Sequence, residues 1–198
     1  NKEFRVIKPN VNDFIELMER RCSILVQKDI GNVLAKTGLG AGCRVVDAGT
    51  GAGAIALNFA NVVGEKGRVF TYEIREDFAE VAQRNIDNFG INNIVVKNKD
   101  IKEGIDEQQL DLIFLDLPKP FEIFEDVYKS LRLGGWLVVY APYIDQAEVA
   151  YRIAKKLGFK DLSISEILER ELEVRPQGTR PKTRMVGHTG YMVFARKL

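Results

Sequence analysis

Asp47, Glu73, Asp100 and Asp116 each stand at or just after the end of a stretch that reads as a strand, and all four are acidic. The first of them opens Asp47-Ala48-Gly49-Thr50-Gly51-Ala52-Gly53, which leads into the helix-like run Ile55 to Val63. A strand, a glycine turn and a helix in that order let a backbone approach a nucleotide-like ligand. A pyrophosphate at the helix N-terminus would be repelled by the Asp47 carboxylate, whereas a ligand carrying positive charge would be attracted. S-adenosylmethionine has a nucleoside, a sulfonium and an ammonium and no phosphate, so it is the expected cofactor, with S-adenosylhomocysteine as product. The expected cradle is Asp47, Gly49, Gly51, Ala52, Gly53, Ala54 and Ile55. Gly49-x-Gly51-x-x-Ala54 also fits a dinucleotide pattern. A nicotinamide enzyme would, however, set a pyrophosphate beside Asp47, and the sequence supplies no hydride-transfer partner such as a placed histidine near the sheet centre.

Glu73 falls twenty residues after Gly53, where a carboxylate accepts from both ribose hydroxyls. Asp100 is expected to accept the adenine amino group while the Ile101 N–H meets a ring nitrogen. Asp116 precedes Leu117-Pro118-Lys119-Pro120, and two prolines stiffen that loop. A carboxylate on a rigid loop at a sheet's carboxyl edge is placed for catalysis.

The elements that must position these residues alternate. Strands are expected at Cys43 to Ala48, Arg68 to Glu73, Asn93 to Lys97, Leu110 to Asp116 and Trp136 to Ala141. Helices are expected at Asn10 to Arg20, Asp29 to Ala35, Ala52 to Val63, Glu76 to Asn88, Phe121 to Leu131 (closed by a Gly134-Gly135 turn) and Ile144 to Leu157. Leu162 to Leu168 and His188 to Ala195 read as a terminal strand pair joined through a long exposed loop at Pro176 to Arg184. The fold class is therefore α/β: a Rossmann-like, doubly wound, mostly parallel sheet with a C-terminal antiparallel pair. Residues 1–40 read as a helical lead-in and 41–198 as the cofactor-binding catalytic domain.

The 198 residues suit one compact domain, 45% hydrophobic and 29% charged. No run approaches the ~18 apolar residues of a membrane span, and no signal peptide is read. Two cysteines are too few for a disulfide framework, no metal site is suggested, and a reducing, cytoplasmic setting is expected. Net charge is +1 but unevenly spread: Val174 to Leu198 holds Arg175, Arg180, Lys182, Arg184, Arg196 and Lys197 and no acid.

Five segments together resemble the class I tRNA (adenine-N1) methyltransferases, which act on adenine 58, and in some archaeal members adenine 57, of the T-loop. These are Asp47 to Ala54, Tyr72-Glu73-Ile74-Arg75-Glu76-Asp77, Leu115 to Pro120, Tyr140-Ala141-Pro142 with Gln146, and Arg180-Pro181 followed by Gly187-His188-Thr189-Gly190-Tyr191. The resemblance implies cofactor contacts at Ala52 to Ile55, Glu73, Asp100 and Asp116, with Asp116 facing the adenine. It implies tRNA as partner, a homotetramer, and a tRNA-facing wall around His188. Arg180, Lys182 and Arg184 are expected on phosphates, and Tyr143, Tyr191 and Phe121 are candidates for stacking a flipped base. Ser23 and Val26 depart from the family's usual Gln and aromatic or His, which keeps a protein side chain or a corrin-type small molecule open as acceptor. The family's small N-terminal β-domain is expected to be lacking, since Asn1 falls about where its linker runs.

Overall fold

The structure is a computed structural model and describes residues 2–198. Five strands run parallel: β1 (Arg44–Ala48), β2 (Arg68–Glu73), β3 (Ile94–Asn98), β4 (Leu110–Leu115) and β5 (Leu131–Ala141). β6 (Lys160–Ser165) and β9 (Tyr191–Arg196) extend them, giving the order β3-β2-β1-β4-β5-β9-β6 with β9 antiparallel to both neighbours. A separate exposed hairpin holds β7 (Leu172–Arg175) and β8 (Gly178–Pro181). Successive strands move outward one way from β1 to β3 and the other way from β4 to β5, so the β1/β4 boundary is the topological switch point, where open α/β sheets bind ligands.

The helices are α1 (Val11–Leu17), α2 (Gln27–Thr37), α3 (Ala54–Val63), α4 (Glu76–Phe89), α5 (Phe124–Ser130) and α6 (Ile144–Lys156). β4 shows why its sequence is apolar throughout. Leu112 and Phe114 join Val33 of α2 and Phe59 of α3 on one face. Ile113 and Leu115 join Phe124 and Val127 of α5 and Ala147 and Ala150 of α6 on the other. A strand covered on both faces has no solvent side to make polar. Each of these fully buried large side chains contributes about 1.5–3 kcal/mol.

Five expectations need correction. The stretch expected as one helix over Phe121 to Leu131 is a 3-10 turn (Pro120–Ile123) followed by α5, and Leu131 already belongs to β5. Gly134-Gly135 therefore does not close a helix but lies inside β5. Gly134 has φ 84 and donates its N–H to the Lys197 carbonyl at 2.7 Å. A Cβ at Gly135 would come within 2.7 Å of the Leu110 carbonyl oxygen, beside a register shift in the β4 pairing. The expected loop at Pro176 to Arg184 carries β8 of the hairpin, although all of it is exposed as anticipated. The last strand begins at Tyr191, so His188 stands outside the sheet. α1 also stops at Leu17, where Met18 turns extended; Asn10 and Asp13 form a reciprocal capping box at its start.

Candidate active site

The glycine turn is built by backbone contacts before any side chain enters. The Gly49 and Thr50 N–H groups both donate to the Tyr72 carbonyl of β2, at 3.0 and 3.3 Å. Ala48 pairs with Leu115, and the Asp116 N–H donates to the Ala48 carbonyl at 2.9 Å. The end of β4 is thus bonded to the start of the turn. Gly49 has φ 94, and a Cβ there would fall 2.3 Å from the Asp116 carbonyl oxygen. Only glycine satisfies both the conformation and the approach.

Two cavities open on either side of this contact. One, about 420 Å³, is walled by Cys22 to Leu25, Gly49 to Ala52, Ala54, Ile55, Arg75, Asp116 to Pro118, Pro142 and Gln146. The other, about 60 Å³, is walled by Gly49, Tyr72, Glu73, Ile74, Lys99, Asp100, Ile101 and Leu117. Gly49 and Leu117 belong to both, so the two form one bent cleft. Of the expected cofactor residues, Gly49, Gly51, Ala52, Ala54, Ile55, Glu73, Asp100, Ile101 and Asp116 line it.

Asp47 and Gly53 do not line it. Gly53 is the left-handed N-cap of α3. Asp47 is 1% exposed and lies beneath the turn. Thr71 donates its hydroxyl to Asp47 Oδ2 at 2.6 Å and contacts the Thr50 hydroxyl at 2.6 Å, while Asp47 Oδ1 has no partner. Burial pushes the Asp47 carboxyl up to about 7; the Thr71 hydrogen bond opposes this, and the charges of Asp116 and Glu73 add to it. Asp116 opens onto the cleft, yet the walls around it strip enough water to raise its carboxyl to about 6.

Glu73 is buried and accepts the Gly51 N–H at 3.0 Å on one oxygen and the Arg75 N–H and Nε, both at 3.1 Å, on the other. It braces the turn as well as facing the smaller cavity. Asp100 accepts the Lys102 N–H at 2.9 Å and caps a one-turn 3-10 helix over Ile101–Glu103. Arg75 packs its guanidinium over the Phe78 ring at 3.5 Å and contributes a cation to the wall of the larger cavity. The sequence signal for it was adjacency to Glu73 within the Tyr72 to Asp77 segment. Of Cys22 to Leu25, only Ser23 was singled out in the sequence, as a departure bearing on the acceptor, and none was expected among the cofactor contacts. They carry no local chemical signature and reach it because the segment between α1 and α2 folds over Gly51.

The expected acceptor-side residues are not brought together. Arg180 sits on β8 with Glu173 at 3.9 Å, and Lys182 pairs with Glu171. The run that looked free of acids is met across the hairpin by Glu173 of β7 and by Glu171 just before it. Arg184 and Lys182 line a different cavity of about 450 Å³ with Val26, Lys28, Glu169, Glu171, Met185 and Val186. Tyr143 is 66% exposed beside the cleft. Phe121, like Tyr191, is half-buried and packs against the core cluster that holds Ile113 and Val139. His188 lines neither part of the cleft but approaches its Pro142 wall.

A glycine turn at the switch point, an acidic floor and a carboxylate-lined bent cleft define a class I methyltransferase of Rossmann-like fold. A SAM-dependent O-methyltransferase from Thermotoga maritima superposes with a TM-score of 0.90 at 34% identity, over 96% of this chain and 72% of its own. A tRNA (m1A58) methyltransferase from Aquifex aeolicus superposes at 0.87 and 31%, over 96% and 77%. The tRNA (adenine(57)-N(1)/adenine(58)-N(1))-methyltransferase of Methanocaldococcus jannaschii is 38% identical over 98% of this chain and 78% of its own length. Residues 5–180 match the family described as tRNA methyltransferase complex GCD14 subunit. The chain belongs to this family of tRNA (adenine-N1) methyltransferases.

Proposed function

We propose that this protein methylates N1 of an adenine in tRNA, of the position 57/58 type, using S-adenosylmethionine. The carrying observation is the Asp116 carboxylate, which lines the larger part of the cleft next to Leu117, a residue of both parts; its N–H is bonded to the Ala48 carbonyl and its own carbonyl packs against Gly49. The residues suit this cofactor. Glu73 faces the smaller cavity and would take the ribose hydroxyls, Asp100 and Ile101 the adenine edge, and Gly49 to Ala52 the amino-acid end. The buried Asp47 charge, with an unpartnered oxygen, favours a cation and disfavours phosphate.

The cofactor supplies a methyl group on a sulfonium. N1 of adenine is already a nucleophile, so the chain needs no strong base. As N1 gains the methyl group, positive charge spreads to the exocyclic amino group. Asp116, accepting a hydrogen bond from that amino group, stabilises the charge as it develops. The Pro118 and Pro142 walls align the two reactants, and alignment supplies much of the remaining acceleration. N1 is reached only in an unstacked base, so a flipped adenine beside exposed Tyr143 is expected. The resemblance further supports a homotetramer in the cytoplasm; sedimentation of the purified protein tests the assembly.

Unmodified tRNA incubated with labelled cofactor, followed by nucleoside analysis, should yield 1-methyladenosine. Cofactor binding without any labelled nucleoside would move the acceptor to a protein side chain or small molecule. Asp116→Ala with full methylation would remove Asp116 from the reaction.

A further inference from the structure

We propose that His188 is a positioning residue: held as an imidazolium between Glu166 and the Pro142 carbonyl, it fixes the loop between β5 and α6 as a wall of the methyl-transfer cleft, and methyl transfer weakens when it loses a proton. This rests on the methyl-transfer reading above.

The geometry carries it. His188 Nδ1 lies 2.6 Å from Glu166 Oε1, and Nε2 lies 3.0 Å from the Pro142 oxygen. A carboxylate and a carbonyl only accept. A neutral imidazole has one N–H, so one of the two contacts would set lone pair against lone pair. The doubly protonated ring donates to both. Pro142 lines the cleft, and Gln146, one turn into α6, lines it as well. Holding the Pro142 carbonyl therefore holds that wall.

The neighbouring backbone leaves the ring little freedom. Thr189 donates its hydroxyl to Asp29 Oδ2 at 2.7 Å and receives the Lys28 ammonium at 2.7 Å. The Tyr140 hydroxyl donates to the Thr189 carbonyl. A Cβ at Gly190 would lie 2.4 Å from the Tyr140 ring, so the chain lies flat against it. The groups facing His188 are Glu166 after β6, the Pro142 backbone, Lys28 at the start of α2 and the Tyr191 ring of β9, 4.8 Å away. Glu166 raises the imidazole's proton affinity first, the Pro142 carbonyl adds to it, and Lys28 opposes. Lys28 is itself neutralised by Asp29 at 2.8 Å, so the balance favours the cation.

His188 is the only histidine in the chain, so its Cε1–H resonance reports it alone. In the intact protein that resonance should titrate above the ordinary 6.5, and Glu166→Gln should bring the midpoint down. Single-turnover methylation of tRNA at saturating cofactor should show an alkaline limb at the same midpoint, moving with it in Glu166→Gln. Loss of one hydrogen bond of ordinary strength at this exposed position corresponds to about a threefold to tenfold fall in rate across the limb. S-adenosylhomocysteine affinity should weaken over the same range. His188→Gln should lose the limb in both readouts; if that variant does not fold, Glu166→Gln decides alone. A resonance midpoint at or below 6.5, or a resonance that moves while the rate limb and the affinity stay, overturns the proposal. No methylated RNA together with an affinity limb that follows His188 would leave the clamp standing and remove the tRNA reading.

Discussion

Asp47→Asn should make the ligand-free protein more stable at pH 8 while making it bind S-adenosylmethionine worse. The carboxyl moves from an ordinary 3.8 to about 7 because it is buried without a partner on Oδ1. At ~1.4 kcal/mol per tenfold change in proton affinity, keeping it ionised above pH 7 costs the fold about 4 kcal/mol. The sign follows from linkage. The folded state holds this proton more tightly than the unfolded chain, so stability is highest below about pH 4. It falls as pH rises to about 7, then levels. Asparagine removes the slope. It keeps the Thr71 hydroxyl as a donor to its carbonyl but adds an amide N–H with no acceptor, at a cost of about 1–3 kcal/mol. The net at pH 8 is a gain of about 1–3 kcal/mol, and at pH 4 a loss of similar size. Urea denaturation of both proteins without cofactor at pH 4, 6 and 8 measures the difference curve. S-adenosylmethionine affinity should fall at least tenfold and S-adenosylhomocysteine affinity less, because only the first carries the sulfonium charge. A difference in stability that is flat from pH 4 to pH 8 would refute the account of Asp47.

Asp116→Asn should lower methylation about 100-fold or more while changing cofactor affinity far less, by rapid-quench and titration calorimetry. Wild-type activity should fall as pH drops through about 6, where the Asp116 carboxylate takes a proton, and the variant should lack that limb. Gly49→Ala should cost at least ~3 kcal/mol in thermal denaturation, since its Cβ would meet a backbone oxygen at 2.3 Å in a left-handed residue. Arg184→Ala should reduce the salt slope of tRNA affinity by about one, whereas Lys182→Ala, whose ammonium already pairs with Glu171, should reduce it less.

What the sequence made legible was what short range decides. Val45 to Ala48 followed by three glycines has few alternatives, and the alternation of apolar runs with amphipathic ones dictated the layers. The failures share a cause in long range. Leu131 reads as a helix end until β4 pairs with it, because Leu131-Arg132-Leu133 offers only three alternating residues before Gly134-Gly135. Arg180 and Lys182 read as free cations until β7 brings Glu173 and Glu171 across the hairpin. Cys22 to Leu25 have no chemical signature, and only the packing of α1 and α2 against α3 puts them over Gly51. Asp47 is the subtler case. Its charge was read as selecting a cation, and its burial beneath the turn was not foreseen, because a strand-end residue points into the sheet layer or out of it according to a register the sequence does not print.

That register also explains why an acid is tolerated there. A carboxylate lining the cleft would be hydrated without the cofactor and would lose that water on binding, so much of its attraction for a cation would be spent on desolvation. Beneath the turn, Asp47 is desolvated by folding itself, which is why its ionisation costs the fold and not the complex. The cation then meets a field already in place, screened by little more than the Thr50 and Thr71 hydroxyls. The fold carries the strain continuously, and the ligand relieves it: binding a sulfonium should draw the Asp47 and Asp116 carboxyls down together and release protons between about pH 6 and 7. Part of the stability lost by the empty protein as pH rises toward 7 is thereby returned by the cofactor, which ties the site's selectivity for positive charge to the pH-dependence of the fold.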